Sequence, residues 1–217
     1  EHIRPEGVAV QINYDFTLRF VVFFNSGFFI IEHWAESEGR VRRAKQDPFM
    51  YFFQPGFDFK PMADLSVTGA FTYYGFANVR KNFVGLDSSQ SNTRWAGTPW
   101  YNDNYNAAAA TLEVGVSNLV DGLPFVAVYG DFISNITKSS DNKGYIVGAK
   151  FGEKSVFKQG HWQVDANWRR LDRNAWLDFL TEDCAYGGQT AVRGWKVIPS
   201  YGFFDNVYGS LIYFSMD

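Results

Sequence analysis

The side chains with the clearest chemistry in this sequence are charged residues that occupy alternate positions of apolar segments. In residues 162–169 the polar side chains, among them Asp165 and Arg169, alternate with apolar ones such as Val164 and Trp168. Successive side chains of a β-strand point to opposite faces, so this spacing predicts one apolar face and one wet face that carries formal charge. Charges along a wet surface attract or repel ions and polar solutes without any covalent chemistry.

The same alternation recurs along the chain, in segments near the ~10 residues that a tilted strand needs to cross a hydrocarbon layer. Lys or Arg facing lipid at the midplane of a barrel wall costs roughly 2 to 4 kcal/mol, so we expect the charged face to line a lumen. Asp15 and Asp64 belong to this polar set. The candidate pore-lining residues are Arg19, Asp58, Lys60, Glu113, Asp131, Lys150, Asp165, Arg169 and Lys196. They predict either a wet channel whose charges tune ion passage or a plugged lumen in which they pair with one another.

Aromatic residues make up 19% of the chain and collect near the ends of the alternating segments. An amphipathic ring is stable where the polar and apolar layers of a membrane meet, so these residues predict lipid-facing girdles. The girdle candidates are Tyr145, Phe151, Trp162, Trp168, Trp195 and Tyr201. In a soluble sandwich the same rings would be core or sugar-stacking residues.

About ten strands are predicted, and they form pairs joined by short turns. The pairs are residues 8–14 with 18–25, 51–60 with 65–73, 111–117 with 126–132, 145–151 with 162–169, and 195–201 with 207–214, and the second strand is allowed to extend to Trp34. Within the pairs the connections are predicted at residues 15–16, 60–63, 121–123, 152–160 and 202–206, and longer polar stretches between pairs at 35–48, 80–104, 137–142 and 171–190. This alternation of short turns and long loops is typical of bacterial outer-membrane proteins. The predicted fold is therefore all-β, an antiparallel transmembrane β-barrel in one domain over residues 1–217.

Residues suited to covalent or metal chemistry are scattered. His2, His33 and His161 lie far apart, and the sequence has no nucleophile elbow, phosphate loop, dinucleotide fingerprint or zinc spacing. Glu32 beside His33 has no placed serine partner and is interpreted as an interfacial or loop position. The single Cys184 has no intrachain disulfide partner and is expected in a loop. We therefore predict no catalytic residue, no metal, no cofactor and no enzyme.

Composition excludes other classes of protein. The formal net charge is −3, and the dense basic run at 40–45 is flanked by Glu36, Glu38 and Asp47, so no nucleic-acid partner is expected. Apolar stretches such as 20–24 are far shorter than the ~18 residues of a membrane-spanning helix. If the short turns are periplasmic, the strand that ends near Phe214 runs outward and Glu1 begins at the outer side, whereas such barrels normally finish at the periplasm. We therefore expect at least one further strand at each end, within a barrel of roughly 12 to 18 strands.

Several motifs in the second half of the chain resemble a known family. Residues 144–152, with the sequence Gly-Tyr-Ile-Val-Gly-Ala-Lys-Phe-Gly, and residues 160–175 are similar to the "putative porin" family of bacterial outer-membrane proteins. Residues 205–207 with 213–214 resemble its late hairpin, and 122–124 with 130–132 an earlier one. These motifs are structural, so the resemblance implies a diffusion pore and transfers no active site. Cys184 and the aromatic-rich first strand pair depart from the family pattern, and family members are longer.

The sequence thus predicts an outer-membrane porin for passive diffusion of small hydrophilic solutes and ions. Its expected surroundings are outer-membrane lipid, and its expected partners are further copies, as in a trimer, or other outer-membrane proteins. Two alternatives stay open: a closed barrel whose loops bind a partner, and a soluble carbohydrate-binding β-sandwich. A local question is also open at the point where a strand enters a long loop. The charged residues there either rim a constriction or solvate the loop; they are Arg169, Arg170, Asp172 and Arg173.

Overall fold

The computed structural model of the chain describes residues 6–31, 47–80, 91–94, 96, 101–120, 122–181 and 186–217. Their regular structure is almost entirely β-strand. The strands are β1 (Glu6–Thr17), β2 (Phe20–Ile30), β3 (Phe49–Met62), β4 (Leu65–Ala77), β5 (Ala107–Val120), β6 (Leu123–Asn135), β7 (Lys143–Gly152), β8 (Trp162–Leu171), β9 (Val192–Phe204), β10 (Val207–Ser210) and β11 (Tyr213–Met216). Two short 3-10 helices, Asp178–Leu180 and Tyr186–Gly188, lie between β8 and β9.

All of these strands belong to one antiparallel sheet, in which each strand from β1 to β10 pairs with the next along the chain. Both β10 and β11 pair with β9, so they are two halves of one edge strand that is interrupted at residues 211–212. Among the described residues β1 pairs with β2 alone, and the sheet is not closed. The predicted all-β antiparallel fold is confirmed, and this meander is consistent with part of a barrel wall.

The pairing register shows which side chains share a face. One row of paired residues crosses the sheet from β3 to β9: Asp58, Thr68, Glu113, Tyr129, Gly148, Asn167 and Lys196. We call the side of the sheet that carries this row the polar face. A neighbouring row on the opposite side, the apolar face, is Val67, Val114, Val128, Ala149, Ala166 and Val197. A β-sandwich would bury its apolar face against a second sheet, whereas all the strands described here form one sheet.

Three turns differ from the sequence prediction. The first lies at Leu18 and Arg19 rather than at residues 15–16, because a register shift near the end of β1 lets the strand continue to Thr17. The second lies at Ala63 and Asp64 rather than at 60–63. There β3 continues past Pro61 because another register shift accommodates this residue, which lacks a backbone donor. In the last hairpin β9 runs to Phe204, so its turn is shorter than predicted.

The main cluster of buried apolar side chains lies at the end of the sheet where the long loops are. It comprises Phe76, Val79, Tyr101, Tyr105, Leu177 and Phe179. Trp176 packs against strand β4 here, with its ring centroid 4.8 Å from that of Tyr74 and 5.4 Å from that of Phe76. Both Tyr74 and Phe76 project from the polar face, so the loop containing Trp176 folds over that face. We call residues 91–94, 101–106 and 172–181 together the loop cluster.

Some predictions concern residues outside the described ranges. These are His2, Glu32, His33, Cys184 and the basic run at 40–45. The predicted extension of the second strand to Trp34 also passes beyond them, and β2 as described ends at Ile30. Among the helices of the described residues, none has the length and apolar character required to cross a membrane.

Candidate functional site

The predicted pore-lining residues share the polar face, with one exception. The register places on that face Asp58 and Lys60 of β3, Glu113 of β5, Asp131 of β6, Lys150 of β7, Asp165 and Arg169 of β8, and Lys196 of β9. Arg19 lies in the turn between β1 and β2, and its Nη1 donates a hydrogen bond to the Pro61 carbonyl oxygen at 3.2 Å. That these side chains line a conducting path remains a prediction.

The predicted girdle residues lie on the apolar face at two levels. Tyr145, Trp168 and Trp195 are at the long-loop end of β7, β8 and β9, and Phe151, Trp162 and Tyr201 are at the other end. In each strand the two aromatic residues are six positions apart, which corresponds to about 20 Å at about 3.3 Å per residue. Tyr145 and Trp168 are in contact, with their ring centroids 5.3 Å apart. The separation is close to the ~25 Å height of a lipid-facing apolar band.

A network of polar side chains crosses the middle of the polar face. Lys150 Nζ lies 2.6 Å from Glu113 Oε2. The Tyr129 hydroxyl donates to Asp165 Oδ1 at 2.6 Å and accepts from Asn167 Nδ2 at 3.0 Å. The first contact joins β5 to β7, the others join β6 to β8, and Lys150 Nζ lies 5.1 Å from the centroid of the Tyr129 ring between them. Part of the charge on this face is paired within the sheet.

Glycine makes room for this network. The Tyr129 ring lies over Gly148, where an added Cβ would be 2.5 Å from the Tyr129 Cζ and 2.8 Å from the Asn167 Cβ. No side chain larger than hydrogen fits there unless Tyr129 moves. Gly148 therefore helps to place the hydroxyl that donates to Asp165.

A buried ion pair organises the loop cluster. Arg94 Nη2 lies 2.7 Å from Asp178 Oδ2, and the Tyr101 hydroxyl donates to Asp178 Oδ1 at 2.5 Å. The Arg94 guanidinium carbon also lies 3.7 Å from the centroid of the Tyr101 ring. Burial, and then the Asp178 charge, raises the pKa of the Tyr101 hydroxyl well above its ordinary value. Tyr101 therefore remains a hydrogen-bond donor throughout the physiological pH range.

Asparagine side chains join the loop cluster to the end of β6. Asn174 Oδ1 accepts hydrogen bonds from the Thr93 backbone N at 3.0 Å and from the Tyr105 hydroxyl at 3.2 Å. Asn135, the last residue of β6, donates through Nδ2 to the Asn174 carbonyl oxygen at 2.9 Å. Asn92 Oδ1 accepts from the Asp178 backbone N at 2.8 Å. These bonds satisfy loop backbone groups that would otherwise be buried without partners.

Sequence reasoning did not identify the loop cluster, because residues 80–104 and 171–190 were predicted only as long polar stretches. The available signal was the apolar content of the second stretch, which contains Trp176, Leu177, Phe179 and Leu180 within five residues. Apolar side chains at that density predict burial rather than a solvated loop. The pairing of Arg94 with Asp178 had no comparable signal.

A cavity of about 410 Å³ lies between the loop cluster and the polar face. Asp131 and Arg169 are among its walls, together with Trp176. Arg169 and the adjacent Arg170 both line the cavity, although the register places Arg170 on the apolar face, and Arg170 Nε lies 3.0 Å from Asp172 Oδ1. The Arg173 carbonyl oxygen accepts a hydrogen bond from Asn92 Nδ2 at 2.6 Å.

Comparison with known proteins adds one finding. The model of the family described as "Putative porin" matches residues 2–113 and 101–217. The chain belongs to this porin family. The resemblance inferred from residues 144–152 and 160–175 is therefore confirmed. Neither a curated protein nor a solved structure matches the chain. Membership points to a non-enzymatic channel protein.

Proposed function

We propose that this porin-family chain forms the wall of a water-filled channel in the bacterial outer membrane, through which small hydrophilic solutes and ions diffuse passively. The observation that carries the proposal is the separation of the sheet into a polar face with formal charges and an apolar face without a covering layer among the described residues. Water on one side and lipid on the other satisfy both faces.

The apolar face supports contact with lipid. Large apolar side chains in the middle of its strands are exposed, including 57% of Val128 and 60% of Val147. Soluble monomers rarely expose contiguous apolar patches above a few hundred Å². The rows of Val, Ala and aromatic residues extend over many neighbouring strands, which favours a hydrocarbon environment with aromatic side chains at its boundaries.

The polar face supports contact with water. Asp58, Glu113, Lys150 and Asp165 place charges on this face from β3 to β8. Among the described residues Glu113 forms an ion pair with Lys150. Such side chains would be costly in lipid and are stable along an aqueous path. Because both signs of charge are interspersed, a lumen lined by this face would discriminate weakly between small ions.

The loop cluster favours a second candidate function, a barrel with a closed lumen whose loops bind a partner. Its residues fold over one end of the polar face, as the contact of Trp176 with Tyr74 shows. A loop in this position narrows a lumen in the first proposal and blocks it in the second. Conductance distinguishes them.

The test uses the native protein, extracted with detergent from purified outer membranes and inserted into planar lipid bilayers in KCl. Stepwise conductance increases, together with swelling of protein-loaded liposomes in small sugars, are the expected result. The matched control is the same preparation after thermal unfolding. Recovery of the protein in the detergent-free soluble fraction, or insertion of folded protein without conductance, would overturn the diffusion channel. The second outcome would favour the closed barrel.

A further inference from the structure

The cavity beneath the loop cluster has two kinds of wall. Trp176, Thr181 and Gln189 form the side contributed by the loops. Apolar side chains of the strands, among them Ile146 and Leu171, form much of the other side. A volume of about 410 Å³ lies in the range of pockets that hold small molecules, and walls of this kind favour an apolar group in the ligand.

Two opposite charges face this space from the polar face. Asp131 of β6 and Arg169 of β8 lie on one row of paired residues, with Ile146 of β7 between them. Neighbouring strands are about 4.8 Å apart, so the two backbones are about 10 Å apart across Ile146. A carboxylate and a guanidinium that project from these positions can contact two oppositely charged groups of one small molecule.

The environments of the two charges differ. Arg169 Nε and Nη2 both donate to Asn167 Oδ1, at 3.1 and 3.0 Å, which orients the guanidinium on the wall. Asp131 is half-buried, and its carboxylate has neither a hydrogen bond nor an ion pair with any of the described residues. Placing a carboxylate in a mostly apolar recess is unfavourable without a donor, so this position is suited to a cationic ligand group.

We infer that this cavity binds small zwitterions with an apolar body, of which α-amino acids with large aliphatic or aromatic side chains are the simplest class. The ligand ammonium would donate to Asp131, the ligand carboxylate would accept from Arg169, and the apolar body would lie between Ile146 and Trp176. A simple anion is attracted by Arg169 but repelled by Asp131, and a simple cation is attracted by Asp131 but repelled by Arg169, so a zwitterion fits the pair better than either. The inference rests on the proposed function, since the solute reaches this cavity along the channel.

The first experiment measures binding to the folded full chain in detergent by isothermal titration calorimetry. The probes are L-phenylalanine, its amide, which lacks the carboxylate, N-acetyl-L-phenylalanine, which lacks the ammonium, and glycine, which lacks the apolar body. Phenylalanine is expected to bind about tenfold or more tightly than each of the others, because each lacks one interaction. The inference is overturned if phenylalanine shows no saturable binding or if any of the three analogues binds as tightly.

Variants assign the two charges. Asp131→Asn should abolish the preference for phenylalanine over its N-acetyl derivative, and Arg169→Gln should abolish the preference over its amide. Asp141→Asn is the matched control, because it makes the same change at an exposed position in the turn between β6 and β7. It should bind all probes like the wild type. Full retention of both preferences in Asp131→Asn and Arg169→Gln would refute the assignment.

Conductance separates failure of this inference from failure of the proposed function. Single-channel current is recorded in KCl before and after addition of phenylalanine. If the channel conducts but does not bind phenylalanine, and phenylalanine does not change the current, the proposed function stands and the binding site is refuted. If the protein binds phenylalanine in a saturable, charge-dependent way but does not conduct, the binding site stands and the channel function is refuted.

Discussion

Arg94 and Asp178 are 84 positions apart in the sequence, yet their side chains form an ion pair with only 10% and 0% of their surfaces exposed. The pair connects the loop that follows β4 with the loop that follows β8. The Tyr101 hydroxyl also donates to Asp178. Removing one partner of a buried pair leaves an uncompensated charge, which costs about 3 to 5 kcal/mol. We therefore expect this contact to decide the local stability of the loop cluster.

Asp178→Asn tests that expectation. The backbone amides of Asn174, Leu180 and Thr181 should exchange hydrogen faster in the variant, because the loop cluster opens without unfolding of the sheet. Hydrogen exchange followed by mass spectrometry measures this, with β5 and β6 amides as the internal reference. Asp217→Asn is the control, since its partner Arg193 is 64% exposed and such pairs contribute about 0 to 1 kcal/mol. Equal exchange in both variants would show that the buried pair is unimportant.

A second prediction concerns the glycine beneath Tyr129. Gly148→Ala places a methyl group against the ring and the Asn167 Cβ, so Tyr129 must move and its hydrogen bond to Asp165 is lost. We expect a loss of about 1 to 3 kcal/mol in the free energy of unfolding, measured by urea titration of the protein in micelles. Gly130→Ala is the matched control, because the nearest atom to its added Cβ is 3.6 Å away. An unfolding midpoint shared by both variants would contradict a packing role for Gly148.

A third prediction concerns the two faces of β8. The natural cysteine is first removed by Cys184→Ser. In this background the new cysteine of Asp165→Cys should react with a charged, water-soluble thiol reagent when the protein is in lipid bilayers. The cysteine of Val164→Cys should be protected from the reagent, since adjacent side chains of a strand point to opposite faces. The extent of labelling is read by mass spectrometry, and unfolded protein provides full labelling for both. Faster reaction at 164 than at 165 would invert the assignment.

The strands were predictable because each is long and carries a period-two pattern. Trp162, Val164 and Ala166 fall on one face and Gln163 and Asp165 on the other, as the sequence alone indicates. Errors occurred at turns, where register shifts near Pro61 and Thr17 changed strand ends by two or three residues without changing the pattern.

The loop cluster was not predictable in the same way. Arg94, Tyr101 and Asp178 meet through tertiary folding of long loops, and no local periodicity relates their positions. Arg94 lies in a polar stretch, where a charged residue is common, so its charge alone does not indicate a buried ion pair. The candidate cavity was missed for the same reason, because Trp176 becomes one of its walls only when its loop folds over β4.

The last prediction concerns ion selectivity and joins the charges to the proposed channel. The double variant Arg169→Gln with Lys196→Gln removes two positive charges and should make the channel more selective for cations. The double variant Asp131→Asn with Asp165→Asn removes two negative charges and should make it more selective for anions. Local charges determine which ions enter a lumen in which the two signs are otherwise nearly balanced. The measurement is the reversal potential across a KCl gradient.

Each double variant is the control for the other, because both remove two charges from the same face and only the sign differs. Correct folding is checked beforehand by the heat-dependent migration of the protein on gels. Shifts of opposite sign are the expected result. If both variants conduct and neither moves the reversal potential, these side chains do not line the conducting path, and the assignment of the polar face to the lumen fails even though the sheet is intact.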